Sequence, residues 1–145
     1  MFGYLAVAML SKKTQYALKA LSYLAEHYSE GPVLIADIAA HKQIPLKFLE
    51  SILLNLKHHE ILESKKGKGG GYFLKQAPKK ISVAKAIRAV EGPIALLPCV
   101  SLNFYEKCSD CDEKTCGVNK VMALTRDATL AVLEKKTLAD LMDRH

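Results

Sequence analysis

Near the middle of the chain lies the stretch Ser64-Lys65-Lys66-Gly67-Lys68-Gly69-Gly70-Gly71-Tyr72. Four glycines within five residues cannot fill a core, but they permit positive φ angles and close backbone approach. The stretch therefore predicts the tight tip of a β-hairpin. Lys65, Lys66 and Lys68 place three positive charges on that tip. A flexible cationic hairpin suits contact with a phosphate backbone. The alternative is an ordinary solvated turn, because a glycine run alone is weakly specific.

Helical patterns precede the hairpin. Apolar spacing predicts a helix over 14–28 with Ser11 as its N-cap, a short helix over 33–40, and a third from Pro45 to about 58. In the two later helices, the side chains expected to face inward are Leu34, Ile35, Ile38, Ala39, Phe48, Leu49, Ile52, Leu53 and Leu56. Strands beginning at Ile61 and at Tyr72 flank the glycines. This order is that of a winged helix-turn-helix, whose second motif helix enters the major groove while the wing follows the backbone or minor groove.

The part of the chain after the wing is predicted to be helical around an irregular loop. Ser82 is the expected N-cap of a helix that ends at Val90, and Thr137 that of a short final helix over 138–142. The loop over 94–117 lacks clean periodicity and holds every cysteine. Residues 118–135 form a helix that is apolar on more than one side, which is usual for a buried helix. We expect a second protomer to cover it, the alternative being a core helix of a monomer.

The predicted fold class is thus mainly α with a small two-stranded β wing. Residues 9–80 form the expected DNA-binding domain. Residues 81–145 form a second region with a helix, the cysteine-bearing sensor loop over 94–117 and a dimerisation helix over 118–135.

Charge is distributed unevenly along the chain. Residues 1–90 carry a net charge of +8, whereas residues 91–145 carry −2. A basic first part favours a polyanionic partner, and the second part is left for sensing or assembly. A basic helix lying on a membrane would need Trp or Phe on its apolar face, and the sequence has no Trp. Nucleic acid is the better match.

The N-terminal residues do not fit a targeting segment. Residues 2–10 are apolar over only nine positions without a small-residue cleavage site, and no stretch reaches the roughly 18 apolar residues of a membrane span. Met9 is a candidate start, because the helical pattern begins near Ser11. We take the protein to be cytoplasmic.

Four cysteines, Cys99, Cys108, Cys111 and Cys116, follow the spacing C-x8-C-x2-C-x4-C. In a cytoplasmic chain, such a group favours metal binding or redox chemistry over structural disulfides. The surrounding segment is polar, which indicates an exposed loop. An iron–sulfur cluster, a structural zinc and reversibly oxidised free thiols all remain open on spacing alone.

The sequence resembles the IscR/NsrR-type (Rrf-two) family of bacterial winged-helix regulators over nearly all of residues 9–142. The resemblance is carried by Ser11-Lys12-Lys13-Thr14-Gln15-Tyr16-Ala17, Ala36-Asp37-Ile38-Ala39, Ile44-Pro45-Leu46-Lys47-Phe48-Leu49-Glu50, Gly67-Lys68-Gly69-Gly70-Gly71-Tyr72 and Thr137-Leu138-Ala139-Asp140-Leu141. It implies a homodimer that binds a pseudo-palindromic DNA operator, mainly as a repressor. The implied contacts are Pro45, Lys47, Phe48, Glu50 and Ser51 in the major groove, with Lys65, Lys66, Lys68, Gly69, Gly70 and Tyr72 on the wing.

The resemblance also implies a role for the cysteines. Members of the family with three loop cysteines hold an iron–sulfur cluster, of two or four irons, and Cys99 and Cys116 match the first and last of those three. Cys108 and Cys111 compete for the middle position. Where the IscR type has a His, this chain has Asn119, a poor cluster ligand, so the surplus cysteine is the candidate fourth ligand. Other members lack a cluster and respond through a protein partner or thiol oxidation.

Proteins of other classes fit less well. A thiol redox enzyme would place its Cys-x2-Cys at a helix N-terminus after a strand, whereas this pair lies in an aperiodic loop after helices. No hydrolase triad or phosphate loop is present, so we predict that the protein is not an enzyme. A zinc-stapled interaction module is the structural alternative.

Overall fold

The computed structural model describes residues 10–143, so Met9, the candidate start, lies outside the described residues. The helices are α1 (Lys12–Glu26), α2 (Ile35–Lys42), α3 (Leu46–His58), α4 (Val83–Val90) and α5 (Gly117–Leu133). Strands β1 (Leu62–Lys65) and β2 (Gly71–Leu74) pair antiparallel as one hairpin. Short 3-10 turns lie at Tyr28–Glu30, Pro78–Lys80, Pro98–Val100 and Leu138–Leu141. The predicted class, mainly α with a two-stranded wing, is confirmed.

Side-chain caps fix the starts of α1 and α4. The Ser11 hydroxyl accepts a hydrogen bond from the Thr14 amide at 3.2 Å, and the Ser82 hydroxyl accepts one from the Lys85 amide at 3.1 Å. These bonds satisfy backbone donors that have no partner within the helix. Both predicted caps are confirmed. The predicted end of α1 is wrong, because the helix stops at Glu26 and Tyr28 lies exposed in the following 3-10 turn.

The predicted start of α2 is also wrong. Val33 lies outside the helix and forms an antiparallel bridge with Tyr72, in which each amide donates to the other carbonyl at 2.8 Å. The helix therefore begins only at Ile35. Leu34, expected to face inward, is 56% exposed, because extended backbone at this position turns its side chain away from the core.

A single core joins α1, the helix-turn-helix, the wing base and the segment after the wing. The largest fully buried side chains are Leu21, Leu24, Ile38, Leu49, Ile52, Leu53, Leu56, Ile61, Leu62, Leu74, Ile81 and Leu138. Ala86 and Ala89 of α4 belong to the same core. The Ser22 hydroxyl on α1 donates to the Leu141 carbonyl at 2.9 Å, which holds the last turn against α1. Helix α3 and the base of the wing thus rest on one shared core.

Helix α5 is mostly exposed within one chain. In the described chain only Leu130 of this helix is buried, while Val118, Val121, Leu124 and Val132 are exposed, Leu124 by 63%. Arg88 on α4 pairs with Glu134 at 3.1 Å and so fastens the end of α5. Within one chain only one side of α5 has a neighbour among the described residues, and the covering of its other sides by a second protomer stays a prediction.

Candidate nucleic-acid interface and cysteine cavity

The turn between α2 and α3 orients the recognition helix. Gln43 ends α2 with a left-handed backbone (φ 54°), and its amide donates to the Ala39 carbonyl. The Ile44 amide donates to the same carbonyl at 3.0 Å, while the Ile44 side chain is buried. Pro45 then stands at the N-cap of α3, and its carbonyl accepts from the Leu49 amide at 2.9 Å. This tight turn presents the first turns of α3 on the surface.

One face of α3 is buried and the other is exposed. The exposed face carries the side chains predicted from the sequence to meet DNA: Pro45, Lys47, Phe48, Glu50 and Ser51. The Ser51 hydroxyl already donates to the Phe48 carbonyl at 2.9 Å. The burial expected for Phe48 is wrong: the ring is 37% exposed and rests edge-on against Tyr16, with 5.6 Å between ring centroids. Its position at the edge of the core leaves part of the ring available.

The wing tip is built by its glycines. Gly67 and Gly69 have positive φ angles of 85° and 73°, and the Gly70 amide donates to the Gly67 carbonyl at 3.0 Å. Gly70 itself is buried, and a Cβ there would overlap the Lys65 carbonyl. Only glycine permits this close approach.

The predicted wing residues divide into two groups. Lys65, Lys66 and Lys68 are exposed. Gly70 and the half-buried Tyr72 instead shape the hairpin and join it to Val33. The exposed lysine side chains are therefore the cations that the tip presents to solvent, and Gly70 and Tyr72 hold the hairpin that carries them.

Two contributors to this surface were missed in the sequence. Lys57, at the end of α3, donates to the Ser64 hydroxyl on β1 at 2.7 Å and so links the recognition helix to the wing. Lys12 lies over the Tyr16 ring, 5.1 Å from its centroid. Lys57 follows the last buried residue of α3, but no local pattern indicates its partner. The bridge from Val33 to Tyr72 had a local indication in the sequence, because a β-branched residue after Gly-Pro favours extended backbone.

All four cysteines line one open cavity of about 380 Å³, formed by the loop and the first turn of α5. The Cys111 thiol donates to the Cys108 sulfur at 3.3 Å. The Cys116 sulfur caps α5, accepting from the Asn119 amide at 3.4 Å, and the Asn119 side-chain amide donates to the Cys99 sulfur at 3.4 Å. Asn119 therefore joins two cysteines that are distant in sequence, and no local pattern indicates this.

The thiols have different acidities. The hydrogen bond with Cys108, and then that with Cys116, raises the pKa of the Cys111 thiol to about 12. At Cys116, the backbone amide of Asn119 and then the Cys111 thiol stabilise the thiolate and lower the pKa. A sulfur at a helix N-terminus is expected to show this effect, because the amide dipoles favour negative charge there. Cys116 is thus the more readily ionised of this pair.

The donor set suits a thiolate-bound metal group in its chemistry. Four sulfurs facing one cavity are the ligands that iron–sulfur clusters and zinc prefer. In the arrangement described for residues 10–143, however, no group of three or more His, Cys, Asp or Glu side chains is positioned to hold a metal ion.

Arg126 of α5 donates to the Val100 carbonyl at 2.7 Å and so anchors the start of the loop.

Known transcriptional regulators resemble this chain over most of its length. The sequence profile of the Rrf2 family, described as an iron-dependent transcriptional regulator, matches residues 10–144. The chain is 39% identical over 138 residues to an rrf2-like HTH-type transcriptional regulator of Rhodobacter capsulatus, with 92% of each protein covered. It is 36% identical over 90 residues to IscR of Sodalis glossinidius, which covers 62% of this chain and 54% of that protein. Within the described part of the chain, no helix has the length and apolarity to cross a membrane.

Solved structures share the fold. The structure of CymR (YrzC), the global cysteine regulator of B. subtilis, aligns with a TM-score of 0.76 and 29% identity, covering 92% of this chain and 95% of that one. The structure of T. potens IscR aligns with a TM-score of 0.73 and 27% identity, covering 92% and 85%. These relatives are transcriptional regulators and not enzymes. The chain therefore belongs to the Rrf2 family of winged-helix, DNA-binding transcriptional regulators.

Proposed function

We propose that this protein is a homodimeric repressor that binds a pseudo-palindromic DNA operator and whose affinity responds to its cysteine loop. The observation that carries the DNA-binding part is the joining of two exposed surfaces. The Lys57–Ser64 hydrogen bond links α3 to the wing, and the Val33–Tyr72 bridge links the wing to the segment before α2. In this proposal, a helix for the major groove and a cationic hairpin for the backbone thus form one binding surface.

The helix supplies sequence selection in this proposal. Glu50 and Lys47 are exposed on the same face of α3. A carboxylate accepts from the amino group of cytosine, whereas a lysine donates to guanine. Phe48 offers an apolar edge beside them. Glu50 is therefore the residue assigned to base selection, and Lys47 contributes charge.

The helix assignment is tested by operator selection from random duplex DNA with the parent and Glu50→Ala. We expect the variant to lose preference at one position of each half-site, by about 1–3 kcal/mol against the wrong base. Glu63→Ala, on the exposed side of β1, is the matched control. An unchanged base preference at every position would remove the assigned role of Glu50.

In this proposal the wing supplies phosphate contacts, and Lys66 enters the minor groove. Removing one such contact should reduce the slope of log affinity against log salt by about 1. Lys66→Ala is compared with Lys120→Ala, an exposed lysine on α5. Unchanged affinity and slope for Lys66→Ala would leave the hairpin a solvated turn.

The exposed face of α5 supports the homodimer. Val118, Val121, Leu124 and Val132 are large apolar side chains on one long helix, and such a surface is commonly covered by a partner. A two-fold axis through α5 would set the distance between the two recognition helices. Half-sites one DNA turn apart require that distance to be fixed.

The cysteine loop is the proposed sensor in a cytoplasmic regulator. Cys99 and Cys116, with Cys108 or Cys111 or both, would hold an iron–sulfur cluster. The loop would then be connected to α5 through the cluster only while the cluster is bound. Because Cys116 caps α5, a change at this sulfur reaches the helix that carries the dimer. The cluster-free alternative uses the same thiols through oxidation or a protein partner.

Two measurements test the sensor. The absorption spectrum of anaerobically purified protein distinguishes an iron–thiolate chromophore from colourless zinc or free thiols. Operator titrations of the parent and Cys116→Ser then give the coupling, for which a shift of about 1–3 kcal/mol is expected. Equal affinities, with the parent verified to hold its cluster and both proteins dimeric by sedimentation, would remove the sensor role.

A further inference from the structure

We propose that the four cysteines form two pairs with separate tasks, and that Cys108 and Cys111 form a dithiol that closes reversibly to a disulfide by exchange with a small-molecule disulfide. The inference rests on the proposed function only for its effect on DNA affinity. Its basis is the arrangement of the sulfurs around the cavity.

Asn119 holds the first pair. Its side-chain amide donates to Cys99 and its backbone amide to Cys116, each at 3.4 Å. Both sulfurs are thereby hydrogen-bonded to one residue in the first turn of α5. A sulfur that accepts such bonds is held in place by the helix.

Among the described residues, Asn119 is hydrogen-bonded to neither sulfur of the second pair, although the Cys111 thiol is also hydrogen-bonded to Cys116. Cys108 and Cys111 are separated by two residues, Ser109 and Asp110, and their sulfurs are 3.3 Å apart. A disulfide needs about 2.05 Å between sulfurs, so a small rotation of the side chains brings the two into bonding distance. Cys111 and both intervening residues are exposed, so a small disulfide can reach the pair.

The exchange balances without a metal or a second protein. One thiolate of the pair attacks a sulfur of oxidised glutathione, forms a mixed disulfide and releases one glutathione thiolate. The remaining thiol loses its proton and attacks the mixed disulfide, which closes the Cys108–Cys111 bond and releases the second glutathione. The two protein thiols are oxidised by two electrons, and the glutathione disulfide is reduced to two thiols.

Closure has a consequence for the cavity. It converts two of the four sulfurs into a disulfide, which cannot ligate a metal as thiolates do, and leaves only Cys99 and Cys116 as donors. Loading of a metal group and oxidation of the dithiol are therefore mutually exclusive states of one loop. A regulator built in this way would read thiol redox balance through the pair that Asn119 does not hold.

Tryptic mapping of metal-free protein tests the pairing directly. Cleavage after Lys107 and Lys114 places Cys108 and Cys111 together in the peptide 108–114, while Cys99 and Cys116 fall in the flanking peptides. The protein is equilibrated anaerobically with mixtures of reduced and oxidised glutathione, quenched with acid and alkylated. We expect peptide 108–114 to become lighter by two hydrogens and to resist alkylation, whereas Cys99 and Cys116 take up the alkylating reagent.

Serine variants provide the controls. Cys99→Ser retains the pair and should oxidise with an equilibrium constant within about twofold of the parent, whereas Cys108→Ser and Cys111→Ser should form no internal disulfide. A cross-linked peptide joining Cys116 to Cys111, or a persistent glutathione adduct in place of closure, would overturn the pairing. Circular dichroism verifies that each variant is folded.

The effect on DNA is measured separately. Operator affinity of the parent should change by threefold or more, an order-of-magnitude expectation for such coupling, between reduced and oxidised glutathione, and Cys108→Ser should remove that change. A mapped disulfide with no change in affinity would overturn the regulatory part of this inference. Failure of both redox forms to select any DNA sequence would instead overturn the proposed function, while the disulfide map would still stand.

Discussion

Replacing Glu91 by Gln removes one negative charge at the point where α1 meets the end of α4. The Glu91 carboxylate accepts hydrogen bonds from the Ser11 hydroxyl at 2.6 Å, from the Ser11 amide at 3.3 Å and from the Thr14 hydroxyl. Thr14 is fully buried, so its hydroxyl depends on this acceptor. Gln has nearly the same shape, and the substitution therefore isolates the contribution of charge.

The magnitude follows from the number of bonds. Hydrogen bonds to an ionised acceptor are roughly twice as strong as neutral ones, whose net contribution is about 1 kcal/mol each. Three weakened bonds would cost up to 3 kcal/mol, but Glu91 is only half-buried and water screens part of the loss. We expect Glu91→Gln to lower the free energy of unfolding by about 2 kcal/mol at pH 7.

The expected loss depends on pH with a definite sign. Burial acts to raise the pKa of the Glu91 carboxyl, but the hydrogen bonds from Ser11 and Thr14 outweigh it and lower the pKa below 4.5. A lowered folded-state pKa contributes stability that is fully present above pH 4.5 and is lost as the pH falls through the folded value. The difference between parent and variant should therefore shrink on acidification.

Urea unfolding followed by circular dichroism, at pH 7 and in steps below pH 4.5, measures this difference. Glu50→Gln, at an exposed position of α3, is the matched control and should change stability by less than about 0.5 kcal/mol. Equal stabilities of the parent and Glu91→Gln at pH 7 would refute the reasoning. So would a difference that widens as the pH falls.

Three further outcomes are expected. Gly70→Ala should open the wing tip, because its Cβ would overlap the Lys65 carbonyl, and should weaken operator binding at least tenfold (about 1.4 kcal/mol). A Cβ at Gly69 would meet open space, so Gly69→Ala should lower the free energy of unfolding by only about 1 kcal/mol through its positive φ. Similar operator affinities for Gly70→Ala and Gly69→Ala would contradict this assignment. Leu124→Lys should shift sedimentation toward the monomer, and an unchanged dimer would place the interface elsewhere. Ser82→Ala should cost about 1 kcal/mol in urea unfolding through loss of the α4 cap, and an unchanged midpoint would deny that role.

The sequence was most informative where structure is set by near neighbours. The caps at Ser11 and Ser82, the buried face of α3 and the glycine tip depend on residues a few positions apart, and periodicity and turn chemistry predicted them. The same periodicity predicts that the side chains of Leu34 and Phe48 face the core, which is wrong for both. Their exposure depends instead on what packs beside them: Val33 pairs with the wing, and Tyr16 meets only the edge of the Phe48 ring.

The candidate site was predicted unevenly for the same reason. Grouping the four cysteines required only their spacing, and the structure places them around one cavity. The hydrogen bonds that connect Cys99 and Cys116 depend on Asn119, which lies 20 residues from Cys99 along the chain. The link from Lys57 to Ser64 likewise crosses from helix to strand. Contacts of this kind are set by tertiary packing, and no local pattern encodes them.

The bridge between Val33 and Tyr72 has a consequence for local unfolding. Each residue donates its amide to the carbonyl of the other, so these hydrogen bonds close the backbone from 33 to 72 into a ring that contains α2, α3, β1 and the start of β2. Neither amide can exchange with solvent unless the ring opens, and opening releases both at once. Residues 33–72 should therefore unfold locally as one cooperative unit. Hydrogen exchange at the Val33 and Tyr72 amides should then report the same free energy of opening.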